Sequence, residues 1–173
     1  FWDLGMISVP EAESLMARLA DQRFKNHIPD VVLVLWHPPT VALGLKDREG
    51  SLSKHLRVSV EVLQAHGIAL TYSVRGGGIT YHWPGQVVCY PVLALDPNER
   101  NIPRYMRKLE EVGLKTLRRF GVEAHRRRDA AAYLGLWVGE KKIASMGVRV
   151  QRWITGFGFA LNVFGDHAPS EWI

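Results

Sequence analysis

Cysteine is nearly absent from this sequence, which excludes two kinds of stabilising site. The 173 residues contain a single cysteine, Cys89, so neither an intramolecular disulfide nor a zinc site built from several thiolates can form within them. Cys89 stands between Val88 and Tyr90 in an apolar stretch. We therefore interpret it as a small buried hydrophobic side chain rather than as a reactive thiol.

Long hydrophobic runs are also missing. The longest apolar stretch, Val31–Trp36, falls far short of the ~20 residues that a membrane-spanning helix needs. The opening residues, Phe1-Trp2-Asp3, lack the basic region and long apolar core of a secretory signal peptide. No linker, repeat or low-complexity segment interrupts the chain, so we expect one globular domain over residues 1–173 that does not enter a membrane.

Positive charge is in surplus but is not concentrated. Lysine and arginine number 22 against 17 acidic residues, for a formal charge of +5, and this favours acidic partners through an attraction that salt weakens. The basic residues form neither a tail nor a stripe interleaved with aromatics, so we do not expect nucleic acid as a partner. The one dense cluster, Arg126-Arg127-Arg128, is interpreted as a solvated loop or helix end, with a docking patch as the alternative.

Hydrophobic spacing predicts several helices. Residues 10–20 carry apolar side chains at helical intervals, and Ser59 begins a short helix that Gly67 ends. Asn101 is suited to cap a longer helix. The predicted apolar face of that helix consists of Ile102, Met106, Leu109, Val112 and Leu117.

Strand patterns lie between and after these helices. The run Val31–Trp36 predicts a buried strand, which the prolines after His37 end because proline cannot donate to a sheet. The other predicted strands cover residues 68–74, 87–92, 136–138, 143–151 and 153–163, with a hairpin turn at Gly139-Glu140. Because strands and helices do not alternate regularly, we predict an α+β fold with a mainly antiparallel sheet and flanking helices.

A glycine-rich passage at residues 75–86 is the most informative stretch. Its consecutive glycines, 76–78, let the backbone approach a ligand closely, and their N–H groups can hold a carbonyl oxygen or an anion. The spacing that a phosphate-binding loop requires is missing, and no helix pattern opens directly after the glycines as a dinucleotide site needs. We interpret the passage as a ligand-binding loop, whose polar side chains are Arg75, Thr80, Tyr81 and His82.

Three blocks of sequence carry a family resemblance. The first runs from Arg75 through Tyr81-His82 and Pro84-Gly85-Gln86, the second covers residues 142–150, and the third covers residues 158–163. In this order they resemble the signature of the lipoyl(octanoyl) transferase family, the octanoyl-[acyl-carrier-protein]:protein N-octanoyltransferases. The resemblance covers nearly the whole chain.

This resemblance implies a biotin/lipoate protein ligase fold and an acyl transfer in two half-steps. A medium-chain acyl group, usually octanoyl, arrives as a thioester on acyl carrier protein, passes to an enzyme cysteine, and is then taken as an amide by a lysine of a lipoyl domain. The implied partners are octanoyl-acyl carrier protein and the lipoyl domains of 2-oxoacid dehydrogenase complexes and of the glycine cleavage H protein. No cofactor or metal is implied. The implied location is the bacterial cytoplasm, or a mitochondrial or plastid matrix if a leader has been removed.

The resemblance also implies which residues form the site. Lys142, rather than its neighbour Lys141, matches the family lysine that activates the nucleophilic cysteine by lowering its pKa. The implied substrate-binding residues are Arg75, Gly76, Gly77, Gly78, Ile79, Thr80, Tyr81, His82, Ser145, Met146, Gly147, Gly158, Phe159 and Ala160.

The sequence departs from the family pattern at the nucleophile and at two aromatic residues. In the family, the cysteine follows the third block by a number of residues that, counted along this sequence, ends just beyond Ile173. We therefore expect the nucleophile after that residue, in a C-terminal portion of the domain that the printed sequence lacks. Trp83 stands where glycine is usual, and we expect it to narrow or cover part of the loop. Phe157 replaces a common histidine, which removes one polar contact near the site.

Two alternatives remain open at this point. An ATP-dependent lipoate or biotin ligase on the same fold would adenylate a free acid, although the residues after the glycines, Tyr81-His82 and Pro84-Gly85-Gln86, argue against it. A non-catalytic relative would bind lipoyl domains or acyl carrier protein without turnover. The missing cysteine and the change at Phe157 fit that second alternative.

Overall fold

The computed structural model describes residues 1–47, 56–127, 134–165 and 168–173. Its strands are β1 (Trp2–Met6), β2 (Val31–Trp36), β3 (Thr40–Leu43), β4 (Ala69–Tyr72), β5 (Thr80–His82), β6 (Gln86–Val92), β7 (His125–Arg126), β8 (Gly135–Val138), β9 (Lys141–Gln151) and β10 (Ile154–Asn162). Its helices are α1 (Val9–Phe24), α2 (Val60–Ala65) and α3 (Ile102–Arg119). Within the described ranges, no helix is both long and apolar enough to cross a membrane.

Two sheets organise the described chain. Seven strands form the main sheet in the order β1-β2-β6-β10-β9-β8-β7, and three form a smaller sheet in the order β4-β3-β5. Neighbouring strands of the main sheet are antiparallel except for β1 and β2, and β3 pairs parallel with β4 but antiparallel with β5. The predicted α+β class with a mainly antiparallel sheet is confirmed. Strands β1, β3, β5 and β7 were not predicted.

The helices α1 and α3 cover opposite faces of the main sheet. Ala12 and Met16 of α1 pack in one core cluster with Ala160, whereas Leu109 of α3 packs in another with Phe159 and Leu161. Successive side chains of a strand point to opposite faces. The alternation along β10 therefore separates an α1 face from an α3 face.

The sequence patterns locate the start of α3 better than its buried face, and α1 extends beyond the predicted residues 10–20 at both ends. Ser8 begins α1 with a reciprocal capping box to Glu11, and the side chain of Asn101 accepts from the backbone N–H of Arg104, as its predicted capping role requires. The predicted apolar face of α3 is wrong at Ile102 and Val112, which are 42% and 51% exposed. The buried positions of the helix instead are Tyr105, Met106, Leu109, Glu110, Gly113 and Leu117.

The arginine cluster is bound into ion pairs rather than solvated. Arg126 lies in β7 and reaches Glu110 of α3 at 2.8 Å, which explains how a glutamate can be buried on that helix. Arg127 reaches Glu140 at 3.0 Å. The interpretation as a solvated loop or helix end is therefore wrong for Arg126 and Arg127. Arg128 lies outside the described residues.

Two hairpins position the residues of the second and third sequence blocks. The predicted pairing of β8 with β9 is present, with an irregular register between Leu136 and Trp137. Between β9 and β10 the chain turns through Arg152 and Trp153, whose φ angles of 52° and 62° are those of a type I′ turn. This turn sets the register that places Ser145 opposite Ala160 and Gly147 opposite Gly158.

Candidate functional site

Small side chains form the floor of the candidate site. On the α1 face, the facing pairs Ser145–Ala160 and Gly147–Gly158 leave a trough along the β9–β10 ladder. A Cβ on Gly158 would collide with the carbonyl oxygen of Cys89 on the neighbouring strand, and one on Gly147 would lie 3.0 Å from the carbonyl oxygen of Gly76. Glycine is therefore required at both positions by close backbone approach.

The glycine loop forms the roof of this trough. The backbone N–H of Gly76 donates to the carbonyl oxygen of Val148 on β9 at 3.1 Å. The Arg75 guanidinium, 8% exposed, donates to the carbonyl oxygens of Ala42 and Gly76 at 2.9 and 3.3 Å, and burial lowers its pKa. We expected the backbone N–H groups of the glycines to hold a carbonyl oxygen or an anion. The N–H of Gly76 does not, because it already donates to the carbonyl oxygen of Val148.

Floor and roof enclose a narrow cavity of about 30 Å³. It is lined by Arg75, Thr80, His82, Tyr90, Ser145, Met146, Gly147, Phe157, Gly158, Phe159 and Ala160. The structure thus brings together most of the residues expected to bind substrate, from all three sequence blocks. The predicted site residues that do not line this cavity are the catalytic Lys142 and, from the glycine-rich passage, Gly76, Gly77, Gly78, Ile79 and Tyr81.

Buried aromatic and imidazole rings close one side of the cavity. His37 lies 4.9 Å from His82 between ring centroids, and its Nε2 is 3.0 Å from the hydroxyl of Tyr90. Burial, and next the charge of His37, lower the pKa of His82 to about 3, and burial lowers the pKa of His37 too. Both imidazoles are therefore neutral near pH 7. His37 and Tyr90 were not predicted as site residues, since the sequence pattern only marked His37 as the end of a strand.

A chain of side-chain hydrogen bonds fixes the tautomer of His82. Its Nδ1 lies 2.6 Å from Oε1 of Gln86, and this oxygen can only accept, so Nδ1 carries the proton and Nε2 keeps a lone pair. The Gln86 amide donates to Oδ1 of Asn162 at 3.0 Å, and the Asn162 amide donates to the carbonyl oxygen of Lys142 at 3.2 Å. The glycine loop is thereby connected to the lysine strand.

Lys142 differs from its neighbour Lys141 in burial. Lys141 is exposed, whereas Lys142 is partly buried, with its Nζ 5.7 Å from the centroid of the Trp137 ring. Burial lowers the pKa of Lys142. A Cβ on Gly135 would lie 2.6 Å from Cε of Lys142, and Gly135 pairs with Ser145 of the cavity lining. The lysine side chain thus fills the space beside the end of the trough.

Cys89 lacks the properties of a nucleophile. It lies in the middle of β6, paired with Val34 on one side and Phe159 on the other. Burial raises its thiol pKa to about 11, so the reactive thiolate is scarce at neutral pH. Cys89 is partly buried against the core cluster under α3, so the interpretation as a small hydrophobic side chain agrees with this position, although the residue is not fully buried.

The two aromatic departures from the family pattern have different positions. Trp83 is buried against Tyr81 with ring centroids 5.4 Å apart, and its indole N–H donates to the carbonyl oxygen of Phe164 at 3.0 Å. It does not line the cavity, and the expectation that it narrows or covers part of the loop stays a prediction. Phe157 does line the cavity. Its φ angle of 58° is one that a bulky side chain rarely adopts.

Among the described residues, no three histidine, cysteine, aspartate or glutamate side chains come close enough together to hold a metal ion. The two neighbouring imidazoles, His37 and His82, already use their Nδ1 atoms in hydrogen bonds to Ile7 and Gln86.

Comparison with known proteins identifies the family. Residues 9–173 match the model of the lipoyl protein ligase A/B catalytic domain. The chain belongs to this family. It is 39% identical over 171 residues to an octanoyltransferase of Caldicellulosiruptor bescii, covering 98% of this chain and 72% of that protein. It is 40% identical over 170 residues to an octanoyltransferase of Solibacter usitatus, covering 98% and 74%.

Solved structures confirm the predicted ligase fold of this family member. The protein Ta0514 of T. acidophilum, a lipoate protein ligase homologue solved with bound lipoic acid, superposes with a TM-score of 0.72. The two chains are 19% identical, and the match covers 96% of this chain and 70% of that one. At this level of identity, the comparison establishes the shared fold.

Proposed function

We propose that this chain carries the catalytic domain of an octanoyltransferase, which moves an octanoyl group from acyl carrier protein to a lysine of a lipoyl domain. One observation supports this most strongly. The glycine loop, the lysine strand and the strand of the third block pack around a single trough, with Lys142 beside its end. Relatives named octanoyltransferase, at 39% and 40% identity over nearly the whole chain, agree with it.

The trough has dimensions that suit an acyl chain of this length. From Ala160 to Phe157 it extends over three residue steps of β10, or about 10 Å. Seven C–C bonds of about 1.5 Å in a zigzag span roughly 9 Å. The cavity of about 30 Å³ holds only one or two waters. Octanoyl entry therefore requires this cavity to widen.

Lys142 is suited to activate a thiol at the mouth of the trough. Its lowered pKa makes the neutral amine more available as a proton acceptor. The nucleophile that we propose is a family cysteine other than Cys89, which is a half-buried strand residue whose thiol pKa is raised by burial. The thiol gives its proton to Lys142 and the thiolate attacks the octanoyl thioester, whose bond to the carrier sulfur breaks as the new thioester forms. The carrier thiolate takes up the proton.

The second half-step transfers the acyl group to nitrogen. The amine of the lipoyl-domain lysine attacks the enzyme thioester, the bond to the cysteine sulfur breaks, and the amine loses a proton to the departing thiolate through Lys142. The acceptors proposed are lipoyl domains of 2-oxoacid dehydrogenase complexes and the glycine cleavage H protein. Since a thioester is already activated, the reaction as proposed requires no ATP.

Intact-mass spectrometry tests this function against its alternatives. The full-length protein is incubated with octanoyl-acyl carrier protein and an unmodified lipoyl domain, without ATP. We expect an octanoyl mass increase on the lipoyl domain and a transient one on the enzyme. Modification only from free octanoate with ATP and magnesium would instead identify a ligase. Binding of both proteins without modification would identify a non-catalytic module.

A further inference from the structure

A second, larger cavity lies in line with the narrow one. Its volume is about 480 Å³, and it lies between α1, β4 and the turn that joins β9 to β10. It is lined by Pro10, Glu13, Ser14, Met16, Ala17, Ala20, Thr71, Tyr72, Val74, Arg149, Gln151, Arg152, Ile154, Thr155, Gly156 and Phe157. No step of the proposed reaction uses this space.

Phe157 separates the two cavities. Among the residues that the structure describes, it is the one that lines both. The pair Gly147–Gly158 belongs to the narrow cavity, the next pair along the ladder is Val148–Phe157, and the large cavity begins at Arg149–Gly156. The cavities are therefore consecutive along the same two strands, with one aromatic ring at their boundary.

An unusual backbone conformation places the ring at this boundary. In a regular strand, Phe157 would point to the same face as Phe159, toward α3. With a φ of 58° it instead joins the core cluster of the α1 face. Its ring meets that of Tyr90 at 5.6 Å, and its backbone N–H faces Sδ of Met16 at 3.3 Å. Strain of this kind persists only where the surrounding packing enforces it.

We propose that Phe157 is the wall that sets acyl-chain length, and that the cavity of about 480 Å³ receives the tail of a longer acyl chain once the ring is removed. The inference rests on the proposed octanoyl transfer. The three residue steps of β10 from Ala160 to Phe157, about 10 Å, match the length of an eight-carbon chain. Every further methylene would have to enter the space that the ring fills. Beyond it, Met16, Ala17 and Ala20 offer apolar surface to a longer tail.

The test compares octanoyl- and dodecanoyl-acyl carrier protein as donors to a lipoyl domain. For Phe157→Ala we expect the ratio of kcat/KM for dodecanoyl to that for octanoyl to rise by about tenfold or more, since added methylenes gain apolar contacts. Leu109→Ala, a buried truncation on the α3 face, controls for lost stability and should leave the ratio unchanged. If Phe157→Ala does not fold, Phe157→Gly removes the ring at a φ that suits glycine.

Two further variants make the proposal sharper. Ala17→Trp in the Phe157→Ala background refills the large cavity from its exposed rim on α1, and we expect it to restore the preference for octanoyl. Phe157→Trp should lower octanoyl transfer relative to hexanoyl transfer. A wild-type protein that transfers octanoyl, together with ring-free variants that keep the wild-type ratio, would overturn the role of Phe157. Failure of the wild type to transfer octanoyl would count instead against the proposed function.

Discussion

The face of the main sheet that α3 covers carries large apolar side chains. The face that α1 covers carries small side chains at its β9–β10 end. Leu136, Phe159 and Leu161 fill the space under α3. The opposite face carries a trough of glycine, serine and alanine, two buried imidazoles beside it, and a strained phenylalanine. Close packing stabilises a fold, and cavities and buried polar groups cost stability. The comparison therefore assigns the chemistry to the β9–β10 end of the α1 face, whereas the rest of that face, like the α3 face, packs a core that stabilises the fold.

The strongest test of the α1 face is the lysine beside the trough. We expect Lys142→Ala to lower octanoyl transfer by about 10²- to 10⁴-fold, the range typical of a lost acid–base group. Lys141→Ala, at the exposed neighbouring position, is the matched control and should keep nearly full activity. Initial rates on the lipoyl domain measure both. Full activity of Lys142→Ala, or equal losses in the two variants, would remove the role assigned to Lys142.

On the α3 face, the expected effect is on stability. Leu109 is 4% exposed and packs in the α3 cluster, so Leu109→Ala should lower the free energy of unfolding by about 2–5 kcal/mol. Urea unfolding followed by circular dichroism measures this loss. Activity per folded molecule should stay within about twofold of the wild type. A large fall in kcat with unchanged stability would contradict the separation of the two faces.

The buried imidazole of the α1 face should make stability depend on pH. In the unfolded chain His82 takes up a proton near pH 6.5, whereas in the folded chain its pKa is about 3. Between these values the unfolded state binds more protons, so the free energy of unfolding falls as pH decreases, by about 1.4 kcal/mol per pH unit from this group. Above pH 6.5 both states are neutral at His82 and this contribution no longer changes.

Urea unfolding at pH 7, 6 and 5 measures this slope. Acidic side chains also titrate at low pH, so the informative quantity is the difference between wild type and His82→Gln. We expect the variant to lose the part of the slope that His82 contributes, while the lowered pKa of His37 keeps a smaller slope of the same sign. Parallel pH profiles for the two proteins would mean that His82 is protonated in the folded state as readily as in the unfolded one.

Local sequence signals predicted the parts of the fold that have strong periodicity. Val31–Trp36 is β2 with the predicted bounds, and the hairpin of β8 with β9 turns at Gly139-Glu140 as expected. Strand β5 was missed because it has three residues inside a glycine-rich passage. Strand β3 was missed because it begins directly after two prolines. In both cases pairing with a neighbouring strand, rather than local propensity, decides the structure.

The candidate site was predicted where family motifs name a residue and missed where only the fold brings residues together. His37 and Tyr90 are 53 positions apart, and Gln86 and Asn162 are 76 apart. No local pattern joins residues at such separations. The position of Phe157 between two cavities depends on its positive φ, which the flanking glycines, Gly156 and Gly158, do not by themselves predict.

The smallest predicted effect concerns the hydrogen-bond chain that links the two sides of the site. Gln86 is 2% exposed and accepts from Nδ1 of His82 while donating to Asn162. Gln86→Leu removes both bonds and a longer one to the carbonyl oxygen of Tyr81. His82 should then populate both neutral tautomers, and octanoyl transfer should fall by about tenfold, the worth of one or two hydrogen bonds. Imidazole ¹⁵N chemical shifts measure the tautomer directly, which a purely structural role would not change.

Asn162→Ala separates the two ends of that chain. It leaves the bond between Gln86 and His82 in place, and removes the two bonds of the Asn162 side chain, one from the Gln86 amide and one to the carbonyl oxygen of Lys142. We expect the His82 tautomer to stay as in the wild type, and transfer to fall less than in Gln86→Leu. An unchanged tautomer in Gln86→Leu would mean that packing against His37, 4.9 Å away, is sufficient to orient the ring. The α1 face would then depend on packing as the α3 face does.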